Sequence, residues 1–164
     1  MLNLLKRFKA AWLAFWNPES VQVKDPLTGT LSRNTFTYAF RRELARAERG
    51  QCSALSLAFL DLDGLKRIND SQGHKAGDLH LKEFASIVLA HIRPYDLLAR
   101  WGGDEFVLLL PGSAAGAEKS VKRIYDLFPY FSWGVSTWSE GMGLGLLVEQ
   151  ADAEMYQMKK SKKK

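Results

Sequence analysis

Trp101-Gly102-Gly103-Asp104-Glu105-Phe106 divides two apolar runs, Leu97-Leu98-Ala99 before it and Val107-Leu108-Leu109-Leu110 after it. Apolar runs on either side of a Gly-Gly step read as a β-hairpin over 97–110, because glycine accepts the positive φ of a tight turn. Such a turn lifts Asp104 and Glu105 to the tip of a sheet. Carboxylates held on a rigid turn suit a divalent cation. Taken alone, an acidic turn of this kind is more often solvated and without chemistry.

A second acidic stretch changes that balance. Ser53 to Leu62 reads as a buried strand, with Leu55, Leu57 and Phe59 on one side, and it runs into Asp61-Leu62-Asp63. The two-residue period of a strand points Asp61 and Asp63 the same way. If this strand pairs with the hairpin, Asp61 meets Asp104 and Glu105. Three carboxylates in one place repel one another unless a cation neutralises them. A hard-oxygen set without Cys or His selects Mg²⁺ or Mn²⁺ over Zn²⁺. For Asp63 and Asp70 a lysine pair or a turn cap is the stronger reading than metal binding.

Helical spacing appears over 33–49 (Phe36, Phe40, Leu44, Ala47, closed by Gly50), 76–92 (stopped before Pro94), 114–128, and Leu146 to Lys160. Tyr130 to Thr137 reads as a further strand. Strands alternating with helices give an α/β pattern. Residues 1–24 stand apart as an N-terminal amphipathic helix and linker ahead of a globular domain over 25–164. Within them Met1, Leu5, Phe8, Trp12 and Phe15 form a coiled-coil-like seam over 2–16, ended by Asn17-Pro18. A helix this short needs a partner, which is a second copy, the globular domain or a membrane interface.

Composition sets the bounds. At 164 residues, 46% hydrophobic and 25% charged, the chain has the makeup of one globular domain. Its single cysteine, Cys52, excludes an intrachain disulfide framework and fits a reducing compartment. No apolar run approaches the roughly 20 residues that span a bilayer, and no secretory cleavage signal is visible. A cytoplasmic location is expected, with membrane association at the inner face through residues 2–16 as a further option. The net charge of +5 comes largely from Lys6, Arg7, Lys9 and the lysines of the tail. Neither cluster is interleaved with aromatics as a stacking platform would be, so nucleic-acid binding is not expected.

Asp61-x-Asp63-x-x-Lys66-x-x-Asn69-Asp70-x-x-Gly73-His74-x-x-Gly77-Asp78, followed by Gly102-Gly103-Asp104-Glu105-Phe106, resembles the GGDEF domain of diguanylate cyclases. The likeness extends upstream to Asp25-Pro26-Leu27-Thr28-Gly29 and downstream to Ala151-Asp152, Tyr156 and Lys159, covering about residues 25–163. The resemblance implies a mixed, mostly antiparallel central sheet flanked by helices, like the palm of nucleotide cyclases and polymerases. It implies condensation of two GTP into cyclic di-GMP with release of pyrophosphate, by a homodimer whose two sites face each other. Asp61, the main chain at Leu62, Asp104 and Glu105 would hold two Mg²⁺ or Mn²⁺ ions, with Asp104, Glu105 and Lys66 as the catalytic set. Asn69 and Asp78 would read the guanine edge, Gly102 and Gly103 would admit the ligand to the backbone, and Lys159 and Lys163 would meet phosphates. Arg93-x-x-Asp96 would form a product-inhibition site. A GGDEF module that binds GTP or cyclic di-GMP without turnover is the alternative. The chain departs from the family pattern at Ser32-Arg33-Asn34, in a shortened 112–131 stretch, and at Lys163, where an arginine is expected.

Overall fold

The computed structural model describes residues 23–51 and 54–162. The seam at 2–16 and Lys163 lie outside the described residues. Among the described residues five strands form one sheet: β1 (Leu31–Ser32), β2 (Leu55–Leu62), β3 (Leu97–Arg100), β4 (Glu105–Pro111) and β5 (Phe131–Thr137). Their order is β1-β3-β4-β2-β5. Only β1 and β3 are parallel; every other pair is antiparallel. The sheet is therefore mixed and mostly antiparallel.

Strand β2 lies near the middle of the sheet, and all eight of its residues are buried. Its alternate residues feed two cores. Ala58, Leu60 and Leu62 face α2 (Leu65–Gln72), α3 (His74–His91) and α4 (Ala114–Leu127). Leu55, Leu57 and Phe59 face α1 (Arg33–Glu48) and α5 (Leu144–Ser161). Helices on both faces explain why the central residues of β2, Leu57 to Leu60, are apolar without alternation. The first core centres on Phe84 of α3, whose ring lies 5.1, 5.6 and 5.1 Å from those of Phe106, Phe128 and Phe131.

Local chemistry sets the element ends. Ser32 caps α1 by accepting from the Thr35 amide at 3.3 Å, and Ser113 caps α4 by accepting from the Gly116 amide at 3.4 Å. Helix α2 has no counterpart in the sequence reading. Its apolar residues are only Leu65 and Ile68, too few to show a period. It is framed instead by Gly64 and Gly73, at φ +78° and +82°. Gly73 turns the chain directly from α2 into α3, so the two helices form a corner. Beyond α4, three residues lead straight into β5. Among the described residues no helix is long and apolar enough to cross a membrane.

Candidate functional site

The pairing of β2 with β4 places Asp61 directly opposite Glu105. Like charges opposed across two strands are unfavourable unless something neutralises them. The turn between β3 and β4 supplies Asp104 and is tied to the sheet by its main chain. The Leu62 amide donates to the Asp104 carbonyl at 3.0 Å, and the amides of Trp101 and Gly102 donate to the Glu105 carbonyl at 2.8 and 3.2 Å.

Neither glycine of this turn has a positive φ, which corrects the expectation drawn from the Gly-Gly step. The turn spans four residues, which removes the left-handed requirement of a two-residue loop. Gly102 answers to space instead: a Cβ there would lie 2.5 Å from Glu105 Oε2. At Gly103 a Cβ would meet nothing within 4 Å.

The acidic group carries its own counter-charge. Lys159 of α5 places Nζ 2.5 Å from Asp61 Oδ1. Burial raises the Asp61 carboxyl above its ordinary value, Lys159 opposes that rise, and the charges of Asp104 and Asp63 add to it. Burial likewise raises Glu105, reinforced by Asp61, Asp104 and Asp152 and opposed by Lys159. For Lys159 burial works to lower the ammonium, but the bond to Asp61 and the acids around it outweigh burial and raise it. Among the described residues no three acidic or histidine side chains converge tightly enough to grip an ion by themselves. The donors are nonetheless hard oxygens carrying more negative charge than one lysine balances. That chemistry fits a hard divalent cation completing its shell with ligand oxygens.

Beside the acids opens a cleft of about 390 Å³ between the α2–α3 corner and the β3–β4 turn. Lys66, Asn69 and Asp78 line one side, and Gly103 and Asp104 the other. Residues drawn from Leu65 to Asp104 of the sequence therefore meet at one opening.

The family model for "Diguanylate cyclase, GGDEF domain" matches residues 22–164. The chain belongs to the GGDEF family. This GGDEF domain is 41% identical over 147 residues to diguanylate cyclase DgcS of Shewanella oneidensis, covering 84% of the chain and 49% of DgcS. It is 35% identical to the response regulator PleD of Caulobacter vibrioides, covering 85% of the chain and 34% of PleD. The chain thus spans half or less of these relatives' lengths. Among solved structures it resembles diguanylate cyclase SiaD of Pseudomonas aeruginosa, crystallised with its activator SiaC (TM-score 0.82, 30% identity, 98% of this chain and 68% of that one). It also resembles the GGDEF domain of DgcB from Caulobacter crescentus in complex with c-di-GMP (TM-score 0.79, 27% identity, 84% and 88%).

Other site residues of the GGDEF domain take roles that sequence alone did not assign. Arg100, the last residue of β3, braces the turn. Its Nη2 donates to the Gly103 carbonyl at 2.7 Å and its Nε to those of Gly102 and Gly103 at 3.2 and 3.1 Å. Its Nη1 lies 3.4 Å from Asp25. The Asp25 carboxylate also accepts from the Thr28 amide and hydroxyl at 2.9 and 2.7 Å. Burial alone would raise this carboxyl; the Thr28 bonds and the Arg100 charge outweigh it and hold it below the ordinary value. A carboxylate held low stabilises the fold above the unfolded-state pKa, about 3.9, and loses that contribution as pH falls through its folded value. An Asp25→Asn variant is therefore expected to lose about 1–2 kcal/mol at pH 7, with the gap to the parent closing in acid below about pH 4. Urea unfolding at a series of pH values measures this.

Asp63 pairs with lysine, as expected, accepting from Lys162 Nζ at 2.7 Å and from the Ser132 hydroxyl at 2.9 Å. Asp96 is buried and closes a turn, accepting from the Arg93 amide at 2.8 Å. Burial raises its carboxyl against the Arg93 amide and the charges of Arg93 and Arg123. Arg93 and Asp96 stand at the opposite end of β3 from the Gly102–Asp104 turn and take no part in the cleft. Arg123 went unremarked in the sequence because nothing local marks an arginine in mid-helix; its Nη2 donates to the His91 carbonyl at 2.7 Å.

Proposed function

We propose that this GGDEF domain is a diguanylate cyclase that joins two GTP molecules into cyclic di-GMP. The observation that carries this reading is the junction of the Asp61–Glu105–Asp104 acids with the cleft lined by Lys66, Asn69 and Asp78. The first holds the reacting phosphates and the second holds the base. In each half-reaction the 3′-hydroxyl of one GTP attacks the α-phosphorus of the other. The α–β phosphoanhydride bond breaks, pyrophosphate leaves, and the hydroxyl proton passes by way of the Asp104 carboxylate to water. Two such steps close the ring, and two domains must face each other because each cleft admits one nucleotide.

Asp61, Asp104, Glu105 and the Leu62 main chain would hold two Mg²⁺ or Mn²⁺ ions. When bound, these supply charge for the transferring phosphoryl group and lower the pKa of the attacking hydroxyl. The chain's own contribution is mainly placement. Lys66 stands on the cleft wall for the triphosphate. Lys159 lies within reach of the same acids, and Lys163 follows four residues on. The acceptor carboxylate of Asp78 suits the N1–H and N2–H of guanine, which adenine does not present, so the wrong base leaves it unpaired.

The same reading takes Arg93 and Asp96 as a product-inhibition site. Residues 2–16 serve as the dimer seam or as a peripheral contact with a membrane or partner, on the cytoplasmic side. The relatives' names support the activity, and the DgcB complex supports c-di-GMP as a ligand of such a domain.

The test is incubation of the purified chain with GTP and Mg²⁺, followed by chromatography for cyclic di-GMP, beside an Asp104→Ala control. Product that disappears in the control is expected. No product at concentrations that permit dimers would overturn the cyclase reading and leave a nucleotide-binding module.

A further inference from the structure

Gly77 occupies the second turn of α3 and is buried against α2. A Cβ at this position would lie 1.9 Å from Asn69 Oδ1 and 2.9 Å from Asn69 Cγ, with Leu65 Cδ1 at 3.3 Å. The first two distances are far inside any real contact. The amide of Asn69 therefore occupies the space that any other residue at 77 would claim.

A glycine within a helix weakens it relative to alanine, so one at a helix–helix crossing signals a requirement for space. Here the space is filled by a functional side chain and not by backbone. The Asn69 main chain is fixed, because its carbonyl accepts from the Gly73 amide at 2.9 Å where α2 turns into α3. Only the side chain can yield. Asn69 and Gly77 both line the cleft, as does Asp78, the residue after Gly77. The Asn69 amide makes no hydrogen bond with the described residues, so packing against Gly77 is what sets its direction.

We infer that Gly77 is a positioning residue for base recognition: the missing side chain is the seat of the Asn69 amide, and holding that amide against α3 keeps it at the edge of the bound guanine beside Asp78. This rests on the proposed reading of Asn69 as a guanine contact. Gly77 touches no substrate and acts entirely through Asn69. A Cβ at 77 turns the amide out of its seat with little damage to the fold, since what it meets is the free end of a side chain.

The test is a double-mutant cycle on binding, read by calorimetry with Mg²⁺ and the α,β-methylene analogue of GTP, which cannot release pyrophosphate. Gly77→Ala is expected to weaken the analogue about tenfold, equivalent to about 1.4 kcal/mol. The same change made in an Asn69→Ala background is expected to cost nothing further. Binding of inorganic triphosphate, which has no base, stays unchanged in all four proteins. If the two substitutions add, or if Gly77→Ala weakens triphosphate and analogue equally, the positioning role is wrong while the guanine reading stands. If Asn69→Ala leaves the analogue's affinity intact, the guanine reading of Asn69 fails and this inference with it. Should Gly77→Ala fail to fold, the double variant decides: recovered folding with Asn69→Ala shows that the amide is what alanine strikes, and continued failure overturns the inference.

Discussion

A Glu105→Gln variant is expected to lose cyclic di-GMP formation by about a thousandfold, yet to unfold at a higher temperature than the parent when no ligand is present. Both effects come from one position. Glu105 faces Asp61 across the β2–β4 pair, and its carboxylate makes no hydrogen bond or ion pair with the described residues. Lys159, the cation that opposes the rise of its carboxyl, is already bonded to Asp61. Burial, with the repulsion of Asp61, Asp104 and Asp152, raises the Glu105 carboxyl.

The sign follows from proton binding. A carboxyl raised in the folded state keeps its proton at pH values where the unfolded chain has released it. Stability then falls as pH rises from about 4.3, the unfolded value, through the folded one. Above that window the ionised group works against the fold, and the isosteric amide removes that penalty. Solvent screening limits the gain to about 2 °C in midpoint, and the gain should vanish in acid. Adding Mg²⁺ with the GTP analogue should raise the parent's midpoint but not the variant's. Differential scanning at pH 4 and pH 7, beside the product assay, measures all of this. A variant that is less stable than the parent at pH 7 would show that Glu105 is a structural partner and not a charge held for a ligand.

Gly134→Ala is expected to cost about 3 kcal/mol or more and to disable the site without touching any residue in it. Strand β5 lies against α5 so closely that a Cβ at 134 would meet the Ala151 carbonyl oxygen and the Met155 amide nitrogen, each at 2.3 Å, and Glu154 Cβ at 2.5 Å. Two of these atoms are main chain, so the helix itself must move. The bonds that stitch the pair would go with it. The Val135 amide donates to Glu154 Oε2 at 3.1 Å, the Ser136 hydroxyl to the Leu147 carbonyl at 2.6 Å, and the Trp133 amide to Met158 Sδ at 3.3 Å. Helix α5 carries Lys159, so the same shift pulls the ammonium from Asp61. A urea midpoint within error of the parent would mean that the two elements do not pack this tightly in solution. The contrast with Gly77 is instructive: there the obstructing atoms belong to a side-chain tip, so function and not folding bears the cost.

The elements with strong local signals were legible in the residues. Phe36, Phe40 and Leu44 repeat along one face of α1, and the apolar run Leu57-Ala58-Phe59-Leu60 within β2 reflects burial on both faces. Helix α2 was not legible, since eight polar-rich residues acquire their helix from the two glycines that frame them and from packing on α3. Strand β1, two residues long, is defined by its pairing with β3, nearly seventy residues away, and by a bridge from Leu31 to Lys24. The Gly-Gly step signalled a turn correctly and its mechanism wrongly: Gly102 is needed for the room it leaves Glu105, a fact that depends on a side-chain conformation.

By itself, then, the sequence determined the kinds of group present and their order. Acids stand at a strand end and at a turn, an amide and a further acid follow in a polar stretch, and lysines end the chain. Strand alternation and motif spacing are local properties, and these residues record them directly. Tertiary structure alone decided which groups meet. The β2–β4 register sets Asp61 against Glu105, α5 delivers Lys159 to Asp61 from 98 positions away, and the α2–α3 corner folds Asn69 onto Gly77. Each of these contacts depends on how whole elements pack, and packing is fixed by the summed burial of two cores, not by the residues that later touch.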